Sequence, residues 1–198
     1  MNKLPTNYYH IYNRGAHKAK CFIDAVDYRR FLNLLYLAND TKPVRISDLN
    51  PSKIYEQKRN DTLVEIIAYC LMPNHFHILL REKTECSKTK FIQKLCTGYS
   101  MYYNKKYSHS GIIFQGSYKF KLVNTDDYFR YLIQYIHLNP FGIEEPELMK
   151  TAKLRYLQKA IKYSKKYEYS SYKDYCGVHR AQSVILTVRS DLTVTKTT

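Results

Sequence analysis

Two histidines, His75 and His77, stand one residue apart in the apolar run Ala68-Tyr-Cys-Leu-Met-Pro-Asn-His-Phe-His-Ile-Leu-Leu80. In a strand, residues i and i+2 share a face, so the two imidazoles would lie side by side, with Phe76 and Ile78 in the opposite layer. That pairing suits a divalent cation; two satisfied core or edge histidines on an apolar strand are the plainer reading. A metal also needs a third ligand and a group to activate. The stretch Tyr135-Ile-His-Leu-Asn-Pro140 offers both, because Tyr135 and Asn139 are four residues apart and share one helical face. If that face docks beside the histidines, Asn139 becomes the third ligand of a Mg²⁺ or Mn²⁺ ion with positions open for phosphate oxygens. Imidazole with an amide oxygen is acceptable to Mn²⁺ and less typical of Mg²⁺. Tyr135 is then the nucleophile. Its phenol, with an ordinary pKa of about 10, is mostly neutral at pH 7, so attack on phosphorus requires proton removal and a metal that polarises a non-bridging oxygen. The product would be a phosphotyrosine.

These groups need elements to hold them. Residues 7–12 alternate and lead to the turn residues Asn13-Arg14-Gly15, which reads as a first strand. Val26, Tyr28, Phe31, Leu32, Leu35 and Tyr36 fall near a helical period behind the candidate caps Asp24 and Asp27, predicting a helix to about Asn39. Residues 41–61, with Pro43 and Pro51, read as an insertion or long connection, with a short strand near Val44 to Ile46. Residues 63–71 and 75–81 form a hairpin about Met72-Pro73-Asn74. A basic, tyrosine-rich helix over 88–107 follows, then a strand over 117–123 with Lys119 and Lys121 on one face. The signal Asn124-Thr125-Asp126-Asp127 caps a third helix that runs to Pro140. This order predicts an α+β, ferredoxin-like (RRM-like) antiparallel sheet, βαββαβ, with its helices on one side and a C-terminal catalytic helix and extension. Residues 1–145 would form the catalytic domain. Residues 146–180 would form a basic, tyrosine-rich extension packed on it, with a short helix within 153–166, and 181–198 a loose tail.

Composition points to the partner. Among 198 residues, Lys and Arg number 32 against 17 acids, a formal charge of +15 spread along the chain, which favours an anionic partner and nucleic acid first. The 21 tyrosines, interleaved with cations, offer stacking faces beside phosphate contacts, as single-strand binders require. Five cysteines without a Cys-x-x-Cys pair indicate neither a zinc ribbon nor a disulfide framework. No run approaches the roughly 18 apolar residues of a membrane span, and the first residues lack a long apolar segment, so the expected location is cytoplasmic. Arg14, Lys119 and Lys121 are candidate phosphate contacts, and His10 and Gln115 candidate supporting groups that hold an imidazole tautomer or a phosphate oxygen.

Four segments together resemble a known family: Tyr9-His-Ile-Tyr-Asn-Arg-Gly15, the His75/His77 hairpin, Ile113-Phe-Gln-Gly-Ser-Tyr-Lys-Phe-Lys121 and Tyr135-Ile-His-Leu-Asn-Pro140, with Ser170-Ser-Tyr-Lys-Asp-Tyr-Cys-Gly177 a fainter fifth. They are similar to the IS200/IS605-like Y1 transposases of the HUH superfamily, and within these to the REP-associated tyrosine transposases. The likeness spans most of residues 7–177. It implies His75, His77 and Asn139 as metal ligands and Tyr135 as the residue that attacks single-stranded DNA, leaving a 5′-phosphotyrosine and a free 3′-OH. It also implies a hairpin-forming DNA target. Two departures stand out: Tyr167-Glu168-Tyr169 replaces the tryptophans that many relatives carry before Ser-Ser-Tyr, and residues 41–61 form a longer segment than usual. Tyr131 lies one turn before Tyr135 but outside the motif, and His137 points elsewhere on the helix, as a structural residue or a DNA contact. The rival readings are a non-catalytic nucleic-acid-binding module of the same fold and a replication-initiator or relaxase-type nickase, the latter disfavoured by the chain's size. A monomer and a homodimer both fit.

Overall fold

The computed structural model describes residues 3–43, 46, 49–146 and 156–187. Strand β1 (Lys3–Arg14) leads to helix α1 (Ala25–Leu37), the hairpin β2 (Val64–Met72) and β3 (His75–Glu82), helix α2 (Ser87–Tyr107), strand β4 (Lys119–Thr125) and helix α3 (Asp126–Leu138). After these come the single turn α4 (Phe141–Glu144), α5 (Leu157–Lys166) and the turn α6 (Tyr172–Tyr175). The sheet order is β2-β3-β1-β4, antiparallel throughout, which is the ferredoxin-like βαββαβ arrangement expected from the sequence.

The helices do not all lie on one side, and this corrects the sequence-based expectation. Alternation along the strands divides the core in two. Ile11, Phe76, Ile78 and Leu80 face a layer made by α1 and α2, where Phe31, Phe91, Leu95 and Tyr99 are buried. Phe31 meets Phe76 with ring centroids 5.0 Å apart and Tyr99 at 5.1 Å. Tyr8, Cys70, Leu79 and Val123 face the other way, onto Phe129, Leu132 and Ile136 of α3. The irregular register between Ile66 and Ala68 gives that second face two consecutive apolar residues, Ile67 and Ala68.

Local signals account for the ends of the elements. Asp24 caps α1, accepting from the backbone N–H groups of Val26 and Asp27, while the Asp27 carboxylate reaches back in a capping box. Thr125 ends β4 and caps α3 through the N–H of Tyr128, so strand and helix turn back on each other without a linker. Strand β1 runs through the expected turn, so that Arg14 pairs with His75. The turn itself comes at Gly15, whose N–H donates to Asn74 O at 2.8 Å and where a Cβ would stand 2.1 Å from Ala19 O.

The connection over 41–61 is anchored at both ends. Asn39 exchanges hydrogen bonds with the backbone of Val64, Tyr36 Oη donates to Gln57 O at 2.7 Å, and Ile54 of the 3₁₀ segment Pro51–Glu56 is buried. The expected strand near 44–46 falls largely outside the described residues.

The edge of β2 is sealed by the segment after α5. Leu71 N–H donates to Tyr169 O, Ser171 N–H to Tyr69 O and Tyr69 N–H to Ser171 Oγ. Tyr167 and Tyr175 donate their hydroxyls to Leu71 O and Ile67 O. An edge that would otherwise present unpaired backbone groups is thereby closed. The expectation of a loose tail from residue 181 is corrected for 181–187: Ala181–Ile185 forms a 3₁₀ turn, Ile185 is buried, and Thr187 N–H donates to Ile66 O at 2.9 Å. Three apolar residues in a polar context, Val184-Ile185-Leu186, are too short a run to show a period. Residues 188–198 lie outside the described residues.

Candidate active site

His75 and His77 lie at the start of β3 on the face that α3 covers, opposite Arg14 and Tyr12 of β1. Their rings are 5.0 Å apart. Phe76 and Ile78 point into the other layer, as the alternation requires. Helix α3 is seated by Phe129, Leu132 and Ile136, and this seating turns Tyr135 toward the histidines, its ring centroid 5.5 Å from that of His77. Asn139, just past the last turn of α3, brings Oδ1 to 3.3 Å from His75 Nε2. The sequence thus names four groups, His75, His77, Tyr135 and Asn139, that the fold gathers in one place.

His75 also lies 2.7 Å through Nδ1 from Asn74 Oδ1. Burial lowers its pKa, with the Asn139 contact opposing and the Arg14 charge adding to the effect, so the imidazole is neutral. A neutral imidazole has one N–H, and here it faces two asparagine oxygens. With Nδ1–H donated to Asn74, the Nε2 lone pair and Asn139 Oδ1 confront each other as two acceptors, an opposition that a cation between them would resolve. His77 fits the same role. Its Nδ1 is 2.9 Å from His10 Nε2, a donor and acceptor pair that orients the ring and leaves Nε2 available. Burial, then the neighbouring His75 and His10, hold His77 well below its ordinary pKa; burial, then Lys121, bring His10 to about 4. Neutral imidazoles are the ligand form. Among the described residues no three His, Cys, Asp or Glu side chains gather as a metal site; the oxygen beside the two histidines is the Asn139 amide, 3.3 Å from His75 Nε2. Tyr135 has its pKa raised by burial, partly offset by a hydrogen bond with Asn139.

A cleft of about 390 Å³ opens over these groups, lined by Tyr12, Asn13, Arg14, His75, His77, Gln115, Lys119 and Tyr135. Arg14, Gln115 and Lys119 therefore border the site. Gln115 is fixed there by its own N–H, which donates to Arg14 O at 2.7 Å. Lys121 does not line the cleft; it lies one strand pair further on, opposite His10, with Nζ 4.7 Å from the Tyr128 ring centroid. His137 is buried away from the site, 2.9 Å from Ser171 Oγ and against Tyr175, so it ties α3 to the edge-sealing segment. Three residues at the site escape sequence reasoning, Tyr12, Asn74 and the turn residue Asn13. Tyr12 shares a parity with His10 and Arg14, a signal available in the sequence; Asn74, read only as a turn residue, gives no such sign of its bond to His75.

Similarity to known proteins agrees with this geometry. A search of curated proteins found no match. Among solved structures, the chain is similar to a REP-associated tyrosine transposase bound to a REP hairpin, with 10% sequence identity over 92% of this chain and 87% of the other, and a TM-score of 0.56, a likeness of fold. The model of the family described as IS200-like transposases matches residues 5–139, which hold every group gathered at the cleft. The chain belongs to the IS200-like transposase family.

Proposed function

We propose that the chain is a metal-dependent single-strand DNA endonuclease and strand transferase of the REP-associated kind, acting on hairpin-forming DNA through a tyrosine nucleophile. The observation that supports this reading is the convergence of Tyr135, His75, His77 and Asn139 on one basic cleft. Arg14 and Lys119 hold the phosphodiester over Tyr135, since backbone neutralisation supplies much of the affinity for DNA. The Tyr135 hydroxyl is protonated at neutral pH, so its proton leaves as the new P–O bond forms. The P–O3′ bond breaks, the 3′-oxygen takes up a proton, and the 5′-phosphate stays on the tyrosine. Asn139 orients the phenol, and His10 fixes the ring of His77. His75, His77 and Asn139 would hold Mg²⁺ or Mn²⁺, which supplies polarisation of a phosphate oxygen and neutralises developing charge.

The test is cleavage of labelled, hairpin-bearing single-stranded DNA with and without Mg²⁺ or Mn²⁺. His75→Ala and His77→Ala are expected to abolish cleavage and keep salt-sensitive DNA binding. Cleavage that survives either change, or that proceeds undiminished in excess chelator, would show the metal assignment to be wrong. A hairpin target comes from the fold neighbour and is tested by a panel of stems against unstructured strands.

A further inference from the structure

We propose that the exposed side of α3 is a stacking rail that guides unpaired nucleotides to Tyr135, with Lys119 and Lys121 of β4 as its phosphate side. This deepens the proposed function and rests on it for the identity of the strand as substrate. Tyr128, Tyr131 and Tyr135 recur at the i, i+3, i+7 positions of α3, so their rings line one face over two turns. Adjacent rings are 6.3 Å apart and only 22° from parallel in both steps. Tyr131, the middle ring, is 59% exposed. A tyrosine that closed the core would be covered; these rings stand in a row with the middle one open to solvent and the last at the cleft.

The cations run beside this row. Because Thr125 both ends β4 and caps α3, the strand and helix double back, bringing the start of β4 beside the end of α3. Lys119 accordingly lines the cleft with Tyr135, and Lys121 lies over Tyr128. Both lysines are exposed, and among the described residues neither is paired with a carboxylate. Alternating phosphate and base find matching partners, an ammonium row on the strand and a ring row on the helix, as single-strand grooves require. Asp126 and Asp127 at the start of α3 place carboxylates beyond Tyr128, where a phosphate backbone would be repelled, so the rail ends there.

The experiment is an anisotropy titration of the full chain against fluorescein-labelled oligothymidylate, which cannot pair with itself, and against a duplex of equal length. Tyr131→Ala is expected to weaken binding to the single strand about tenfold, with the salt slope and duplex affinity unchanged, because stacking releases no counterions. Tyr131→Phe keeps the ring and should bind within about twofold of the parent. Lys121→Ala should lower the salt slope by about 0.7, one phosphate on a single strand. Wild-type affinity in Tyr131→Ala, an equal loss toward single strand and duplex, or a phenylalanine variant as weak as the alanine one would each overturn the rail. None of these titrations requires cleavage. A protein that forms no DNA adduct but shows the tenfold loss keeps the rail and discards the nuclease; the converse result keeps the nuclease and discards the rail.

Discussion

The two faces of the sheet are made by the same strands and differ in nearly everything else. The α1/α2 face is aliphatic and aromatic, with Phe31, Phe76, Phe91 and Tyr99 fully buried and the ring of Phe31 in contact with those of Phe76 and Tyr99. The α3 face is apolar only where the helix is seated; beside that seat it changes to His10, His75, His77, Tyr135 and Asn139. Each residue step along β3 alternates between these worlds: His75, Phe76, His77, Ile78. The lesson is one of division of labour. Burying neutral imidazoles contributes little to stability, and the other face compensates by packing large rings closely, with the few polar atoms there, such as the Tyr99 hydroxyl on Cys21 O, hydrogen-bonded.

The sharpest way to break this division is to mutate neighbours in sequence that belong to opposite faces. Phe76→Ala should destabilise the fold by about 3–5 kcal/mol, through lost burial and the cavity left among rings. His75→Ala should cost on the order of 1 kcal/mol, since its partners can turn to solvent in the cleft, while removing cleavage. Urea denaturation of both variants measures the contrast; equal losses would show that the histidine is part of the scaffold.

A smaller effect probes charge on the dry side. Asp27 is buried beneath Lys106, Tyr102 and Tyr107. Burial alone would raise its pKa, but the Lys106 ammonium, the Ile23 amide and the two hydroxyls hold it below the ordinary 3.8. A depressed folded-state pKa means the unfolded chain binds the proton more readily, so this contribution is present above pH 3.8 and is lost as pH falls below it. Asp27→Asn should cost about 2 kcal/mol near neutrality and flatten the acid limb of a stability profile measured by thermal melts. An unchanged acid limb would mean that other carboxylates govern it.

Smaller again is Tyr167→Phe, which removes one hydrogen bond to the edge of β2 and should cost about 1 kcal/mol by the same denaturation assay. At the cleft, Lys119→Ala should leave stability within about 0.5 kcal/mol and reduce the salt slope of DNA binding, the signature of a phosphate contact. A stability loss larger than that of Tyr167→Phe would move Lys119 from the site to the scaffold.

Much of this division was legible before any fold was drawn. The period of two around His75 and His77, and the spacing of four between Tyr135 and Asn139, state which side chains share a face. Strand order followed from short connections. The side of the sheet taken by α3 did not follow, because Phe129, Leu132 and Ile136 make an apolar stripe that fits either face; the choice depends on Tyr8, Leu79 and Val123, residues distant in sequence. His10 was legible as a group that could hold an imidazole, and the structure shows it against His77; which of the two histidines it meets depends on strand register across the sheet. Residues 181–187 escaped because their anchoring is one buried side chain, Ile185, and one backbone bond to Ile66.

The central claim is that Tyr135 is the group the cleft is built around. Incubating the full chain with labelled hairpin-bearing single-stranded DNA and Mn²⁺, then digesting any denaturant-resistant adduct for peptide mass analysis, tests it most directly. The account predicts DNA attached to the peptide at Tyr135 and none in Tyr135→Phe. An adduct that persists in Tyr135→Phe, or that maps to Tyr131, would contradict it.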